Sequence, residues 1–385
     1  MATPVYTRCK TCATATTKRC HGCSKGVDSA GLPAITYYCG RDCQRIHFKT
    51  HKKQCWGANA RRQLYRGGQF LQDVYFAFRE AAFNLLVYRV KSEKGMLHIY
   101  EPPVFTTGPA FFAFPDHLVS DSKDKKAILS YCNCTFASAV MGEMVQKAFR
   151  GIANHNAIHE IQFAPKDGIG RIVCHEGNEI NSKDYAHEVF RVVLKDAEYI
   201  LDLAGAQYAQ HRAIVPLPQY LSSYYRPFPP PTVSKLGHKG GWLREIVDGD
   251  VRGIAATCDP CTFPVYYDMV KLMRLTVDDW ERKQKTTLAK VLNEKQGIFE
   301  ARTGEVLAAL TTNIRAFAAT WKVPEGPTFE SVAVPLKEGS RGGRMTVKTK
   351  GYVGPEKFFE KYCADVEYGT TEQPTEQDVV AEAAG

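Results

Sequence analysis

The sequence predicts a small cysteine-rich module followed by an α+β body in which helix exceeds strand. Seven of the 13 cysteines lie within residues 9–55. Later segments repeat apolar residues at spacings of three and four, which indicates helices, and a few short β-branched runs indicate strands. With 385 residues, 44% hydrophobic and 24% charged, the chain has the composition of a globular protein and is long enough for a module plus one or two domains.

The cysteine-rich segment contains four pairs of potential metal ligands. They are Cys9-x-x-Cys12, Cys20-x-x-Cys23, Cys39-x-x-x-Cys43 and His51-x-x-x-Cys55. Seven thiols and one imidazole suit two tetrahedral Zn²⁺ sites. A CxxC pair lets a tight turn aim both sulfurs at one ion, and His51 and Cys55 lie one helical turn apart. Because protein side chains fill every position, we expect both zinc ions to be structural and not catalytic.

Two other histidines of the module are interpreted as non-ligands. His47 shares a helical stripe with His51, but it lies one turn closer to Cys43 and is free to pack or to form a hydrogen bond. His21 is expected to point outward, because Cys20 beside it binds the metal. The module has few large apolar side chains, so zinc binding, worth about 10–16 kcal/mol, is expected to keep it folded. Spacing alone leaves open whether the four pairs combine sequentially or interleave.

The details around these ligands resemble a MYND-type zinc finger. The matching patterns are Cys9-x2-Cys12-x7-Cys20-x2-Cys23 and Tyr38-Cys39-x3-Cys43-Gln44-x2-His47-x3-His51-Lys52-x2-Cys55. Phe48 stands where that family usually has Trp, and the long interval between Cys23 and Cys39 implies an extended loop.

The resemblance implies a ligand assignment and a function. It places Cys9, Cys12, Cys39 and Cys43 on one zinc ion, and Cys20, Cys23, His51 and Cys55 on the other. It also implies an adaptor or regulator that docks short, often proline-rich, segments of partner proteins.

Positive charge is concentrated in the module. The net charge is +9, and residues 1–66 hold 13 Lys and Arg against two acids, a local excess of +11. Two zinc sites of this composition would reduce that to about +8. Such a surface attracts acidic groups or phosphates, but a solvated basic face is the preferred interpretation. No base-reading motif supports nucleic-acid binding. The sequence shows neither a secretory signal nor a membrane-spanning stretch, so we expect an intracellular protein, its nuclear or cytoplasmic address unassigned.

The remaining chain divides by pattern. We expect a finger over 8–56, a basic glycine-containing joint over 57–68, an α+β body over 69–264, a mainly helical continuation over 265–363, and an acidic disordered tail over 364–385. Predicted helices cover 69–90, 127–154, 264–276, 278–294 and 302–321. Predicted strands cover 171–174, 187–194 and 199–203, and the last two form the one clear hairpin candidate. Residues 216–231 are predicted to form a proline- and tyrosine-rich loop.

The body offers one candidate for catalysis. Cys134 lies near a helix start, where the helix dipole lowers the pKa of a thiol. His187 begins one strand and Asp202 ends the next. If these strands pair, Asp202 could orient His187 while Cys134 attacks an acyl group, an order similar to the transglutaminase-like core. Cys132 is a rival nucleophile, and a buried structural cysteine beside an ordinary strand histidine is the preferred interpretation.

Three further motifs carry less weight. Asn154-His155-Asn156-Ala157 and Gly177-Asn178-Glu179-Ile180 faintly resemble elements of a SET methyltransferase, but the expected cysteine is missing and the second element is degenerate. A polar turn is therefore the preferred interpretation of the first. Cys258-x-x-Cys261 is isolated and is interpreted as a loop. His155 and His159 lack the neighbouring glutamate of a zincin.

Overall fold

The computed structural model describes residues 7–102, 111–177, 179–181, 185–247, 262–320, 328–334, 344–350 and 354–363. The helices are α1 (Arg41–Ala81), α2 (Ser122–Ser130), α3 (Cys134–Ala148), α4 (Leu217–Tyr224), α5 (His238–Val247), α6 (Thr262–Lys283), α7 (Leu288–Val291), α8 (Gln296–Ala319) and α9 (Pro355–Tyr362). The strands are β1 (Thr7–Arg8), β2 (Ala15–Thr16), β3 (Arg89–Glu93), β4 (Met96–Glu101), β5 (Ile158–Phe163), β6 (Ile172–Glu176), β7 (Glu179–Asn181), β8 (His187–Val193), β9 (Glu198–Leu201), β10 (Ile214–Pro216), β11 (Thr232–Lys235), β12 (Thr328–Val334) and β13 (Arg344–Lys350). This confirms a finger followed by an α+β body with helix in excess.

Helix α1 joins the finger to the body without a break. It runs for 41 residues, a length of about 60 Å. Its first half carries ligand positions of the finger, and its second half buries Leu71, Val74 and Phe78 in the main core. Asp42 in the first turn complements the positive end of the helix dipole.

The predicted joint over 57–68 is wrong, because these residues are helical. Its glycines serve close packing and not flexibility. A Cβ at Gly67 would lie 2.8 Å from Phe149 Cε1, and one at Gly68 would overlap Ile214 Cγ1. The helix therefore gives up side chains where the body approaches its backbone, at some cost in helix propensity.

Two sheets form the strand layers of the body. One has the order β10-β9-β8-β5-β11 and is antiparallel throughout. The predicted hairpin of 187–194 and 199–203 is confirmed as β8 and β9, with Phe190 opposite Leu201. The other sheet has the order β3-β4-β6-β7, in which only the β4–β6 pair is parallel.

The five-stranded sheet is covered on both faces. Helix α3 packs between α1 and β8 on one face, where Phe190 and Val192 join the main core. On the other face, Tyr220 of α4 covers Phe163, Val189 and Ile200. Helices α6, α8 and α9 extend the main core, and the Phe317 and Phe358 rings meet edge to face with their centroids 5.2 Å apart.

Several predicted boundaries differ from the structure. The segment 127–154 forms two helices, because the helix is interrupted at Tyr131–Asn133, where Cys132 adopts a left-handed backbone with φ of 51°. The first of them starts earlier, at an Asp121 side chain that caps it. The segment 278–294 is divided between the end of α6 and the short α7, and residues 216–231 contain α4.

The β3–β4 hairpin was missed, although Lys94-Gly95 carries the two positive φ angles, 51° and 81°, of a tight turn. Strand β5 and the β12–β13 hairpin were also missed. Charged residues interrupt β3 and β5, which hides the apolar alternation that identifies a strand.

We expect Gly68→Ala to lower the free energy of unfolding by about 1–3 kcal/mol, because the new methyl group would overlap Ile214. The matched control is Gly304→Ala on α8, where a Cβ meets nothing within 4 Å. That change should raise stability by up to about 1 kcal/mol through helix propensity. Urea unfolding followed by circular dichroism measures both, and equal effects would contradict the packing argument.

Candidate metal centre and Cys-His-Asp site

The first group of ligand atoms lies at the start of α1. Cys9, Cys12, Cys39 and Cys43 place their sulfurs within 4.8 Å of one another. The Sγ atoms of Cys12 and Cys39 are 3.4 Å apart, and those of Cys43 and Cys12 are 3.7 Å apart. Four thiolates around a zinc ion at about 2.3 Å stand about 3.8 Å from each other. The donor set therefore fits a Cys₄ zinc site.

The second group is fully buried and joins Cys20, Cys23, His51 and Cys55 within 4.8 Å. His51 Nε2 lies 3.4 Å from Cys23 Sγ. Burial is the main cause that lowers the pKa of His51, which favours the neutral imidazole that a metal needs. A side chain at Gly22 would approach Cys55 Sγ to 3.0 Å. The two groups thus interleave as the resemblance implies, with the composition of two structural zinc sites.

Helix register and loop geometry position these side chains. Cys43, His51 and Cys55 all belong to α1, whose period places them on one stripe. The CxxC turns are held by backbone hydrogen bonds, from Cys9 N to Thr14 O at 2.8 Å and from Cys20 N to Thr36 O at 2.7 Å.

His47 lies outside both groups and supports the second one. Its Nδ1 lies 2.8 Å from Tyr38 Oη, a hydrogen-bond distance. Its ring stacks on His51 at a centroid distance of 5.7 Å, while Tyr38 meets His51 edge-on at 5.9 Å. His51 is therefore oriented by ring contacts. His21 is exposed and belongs to neither group.

The long loop between Cys23 and Cys39 packs on the continuation of α1. A Cβ on Gly26 would lie 2.6 Å from Ala58 Cβ, and the Tyr65 hydroxyl donates to Ser29 O at 2.8 Å. Arg61 Nε donates to Val27 O at 2.9 Å, and its guanidinium also forms an ion pair with Asp196 of the β8–β9 turn. Arg61 thus connects the finger to the sheet.

The family model described as MYND finger matches residues 9–55. The segment 9–55 is thus a MYND finger. Comparison with curated proteins and with solved structures finds no match for this chain. The family match covers about an eighth of the chain, and the MYND finger is commonly a protein-interaction module. Among the described residues, no helix is both long and apolar enough to span a membrane.

Outside the finger, the structure brings the Cys134, His187 and Asp202 side chains together. His187 Nε2 lies 3.0 Å from Asp202 Oδ2, and both side chains are 1% exposed. Cys134 stands at the start of α3, with Sγ 3.5 Å from Ala186 O. Its thiol is close enough to His187 to raise the pKa of the imidazole. The other ring nitrogen, His187 Nδ1, has no regular hydrogen-bond partner among the described residues.

The electrostatics of this group favour an ion pair. Burial by itself lowers the pKa of His187. The charge of Asp202, the hydrogen bond to it and the neighbouring Cys134 thiol act in the opposite direction and outweigh burial, so that this pKa is raised to about 10. The buried Tyr220 hydroxyl donates to Asp202 Oδ2 at 2.7 Å, and burial followed by the charge of Asp202 raises the pKa of Tyr220. Tyr220 therefore stays a donor and holds Asp202 in place.

Cys132 is a weaker candidate nucleophile than Cys134. Cys132 is exposed as a residue, yet the surrounding groups desolvate its thiol and raise the pKa to about 11, with Cys134 and Glu101 adding to the effect. It therefore holds its proton at neutral pH. Beside it lies a cavity of about 20 Å³, room for about one water. This cavity reaches Tyr208, whose ring meets His187 edge-on at 4.9 Å.

The other motifs do not form sites in the described residues. Asn154 precedes a 3₁₀ turn that leads into β5, while Gly177 lies at the β6–β7 turn of the other sheet, so the two SET-like elements belong to different sheets. His155 lies in that turn and His159 on β5, not on one helical turn. The predicted loop 258–261 and the acidic tail 364–385 lie outside the described residues.

We expect native mass spectrometry of the unchelated protein to show two zinc ions per chain. His51→Ala should lose one ion, because it removes one of the four donors of the second group. His47→Ala is the matched control and should retain both, since His47 contacts the site only through Tyr38 and the His51 ring. A single zinc ion in the wild type, or loss of a zinc ion on His47→Ala, would contradict the assignment of the ligand residues.

The His187–Asp202 pair should make stability depend on pH. The pKa of His187 is raised in the folded state to about 10, above the unfolded value of about 6.5. The ion pair therefore contributes fully below about pH 6.5, and its contribution is lost as pH rises towards 10. The free energy of unfolding of the wild type, minus that of His187→Gln/Asp202→Asn, should fall between pH 6 and 10. A constant difference across this interval, measured by urea unfolding, would show that the pair is not charged.

Proposed function

We propose that this chain is an adaptor or regulator whose MYND finger docks segments of partner proteins, with proline-rich segments among them. In this proposal, the Cys₄ group and the Cys₃His group each hold one structural zinc ion. The observation that carries it is the interleaved pair of ligand groups within a segment that matches the MYND family. We place the protein inside the cell, where its clustered thiols stay reduced.

The chemistry of the finger supports binding and not catalysis. Four protein donors surround each position that a zinc ion would take, so neither ion keeps a place for a reactive water. The finger also exposes aromatic and aliphatic side chains. Ile46, Phe48 and Trp56 of α1 are 71%, 47% and 58% exposed, and such side chains commonly anchor protein interfaces.

Point variants test this proposal better than truncation, because α1 is continuous and a cut after residue 56 would divide it. We expect the full-length protein to bind members of a proline-rich peptide array. His51→Ala should reduce this binding at least tenfold by unfolding the finger, whereas His47→Ala should change it less than threefold. Binding that survives loss of the zinc ion would place the docking surface outside the finger.

A second candidate function rests on the buried Cys134, His187 and Asp202 group. We propose that it transfers acyl groups through a Cys134 thioester, with the finger as a targeting arm. The Cys134 thiolate would attack the carbonyl carbon of an ester or amide, and the His187 imidazolium would protonate the leaving group. Water or an amine would then release the acyl group. Asp202 and Tyr220 would orient the imidazole.

Burial sets a condition on this second function. Cys134 is only 7% exposed, and the small cavity beside Cys132 holds about one water. A substrate therefore reaches the sulfur only when the residues that cover Cys134 move aside.

We expect p-nitrophenyl acetate to give a burst of one equivalent of p-nitrophenolate and an acetyl group on Cys134. Cys134→Ala should abolish the burst, because it removes the nucleophile. Cys132→Ala, the neighbouring control, should retain it, since the raised pKa of Cys132 leaves that thiol protonated. Stopped-flow absorbance and peptide mass spectrometry report the two results. An acetyl group on Cys132, or a burst from Cys134→Ala, would exclude the Cys134 mechanism.

A further inference from the structure

A large groove separates the MYND finger from the body. Its volume is about 940 Å³, at the upper end of ordinary ligand sites. The finger side presents Trp56 and Lys53 of α1, and the body side presents Ile152 and Leu194. The floor is α1 itself near Gly57. The groove therefore has an apolar surface on the body side, and the side chains of Trp56 and Lys53 on the finger side.

An exposed tryptophan marks one wall. Trp56 follows the ligand position Cys55 directly and is 58% exposed. Lys52 Nζ lies 4.5 Å from the centroid of its ring, which keeps the indole beside a positive charge. Tryptophan is enriched at the centres of protein interfaces, where its large ring loses much water on binding.

Three cations in the groove have no acidic partner among the described residues: Lys53, Arg62 and Lys195. Arg62 donates to Asn293 O at 2.9 Å and to Asn293 Oδ1 at 2.8 Å, but these acceptors are neutral. Among the described residues of the lining, Asp196 is the one acid, and Arg61 already pairs with it.

We propose that this groove receives an acidic peptide segment of a partner protein, with an apolar side chain against Trp56 and carboxylates near Lys53 and Lys195. This inference rests on the proposed docking function and names the place and chemistry of the partner. Charge complementarity carries it, because an acidic segment supplies the counter-charges that the three cations lack. The apolar wall of Ile152 and Leu194 favours a peptide over nucleic acid, since one exposed ring offers no series of stacking platforms.

The test uses the full chain and three sets of labelled nonapeptides. Each peptide carries a central leucine or phenylalanine, and its flanking residues are glutamate, serine or lysine. Fluorescence anisotropy should show that the glutamate set binds at least tenfold more tightly than the serine set. The preference should weaken as salt rises, because screening shortens the range of the interaction.

Matched variants locate the site. Lys53→Glu/Lys195→Glu should lower the affinity for the glutamate peptides at least tenfold. The control, Lys49→Glu/Lys235→Glu, changes the net charge equally at exposed lysines outside the groove, and it should change this affinity less than threefold. Trp56→Ala should lower the affinity for the peptides that bind through a central leucine or phenylalanine. Ile46→Ala on the same helix should leave that affinity unchanged. Native mass spectrometry confirms that each variant keeps two zinc ions.

Three outcomes overturn the inference. Equal binding of the glutamate and serine sets removes the charge argument, and equal effects of the two lysine pairs remove the groove. Displacement of the glutamate peptides by a short single-stranded RNA at lower concentration would make the surface a nucleic-acid site. If proline-rich peptides still bind and are lost on His51→Ala, the docking function stands while this inference fails. If neither these three sets nor the proline-rich peptides bind, both fail.

Discussion

The continuous helix α1 is the element on which the rest of the structure depends. Its first turns carry Cys43, His51 and Cys55 of the finger, and its last turns supply Leu71, Val74, Phe78 and Ala81 of the main core. A helix transmits orientation rigidly along its axis, so the finger is held at a defined position relative to the sheet. Arg61 reinforces this, because one guanidinium binds both the finger loop and the β8–β9 turn. The groove beside Trp56 exists because of this fixed arrangement.

The two candidate sites use different physical means to stay ordered. The finger has a small apolar cluster and relies on its ligand groups. The Cys134, His187 and Asp202 group relies on burial inside a large core, where an unpaired polar atom costs free energy. Asp202 accepts from both His187 and Tyr220 through the same oxygen. Such a network holds one geometry well, and burial keeps the group away from solvent.

The features that were predicted correctly depend on residues close in sequence, and two features that were predicted wrongly depend on distant residues. The ligand pairs, the β8–β9 hairpin and the amphipathic face of α1 depend on residues close in sequence, and their spacing predicted them. The joint at 57–68 was wrong because Gly67 and Gly68 resemble a linker locally, while the contacts that explain them come from Phe149 and Ile214, far along the chain. The single predicted helix over 127–154 failed for a similar reason. Its break places Cys134 at a helix start, and Gln207 accepts from the Cys132 backbone N–H there.

By itself, the sequence determined the metal-ligand residues available to the finger, the excess of helix, and the order of Cys134, His187 and Asp202 along the chain, because residue identity and short-range periodicity are local properties. Spacing left the pairing of the ligands open, the resemblance implied that they interleave, and the tertiary structure brings the atoms together in that arrangement. Only the tertiary structure decided that His47 supports His51 from outside the site and that the three residues of the body meet. It also decided that the charges of Lys53, Arg62 and Lys195 face one groove. These outcomes depend on which distant segments share a core, and packing between them sets that choice.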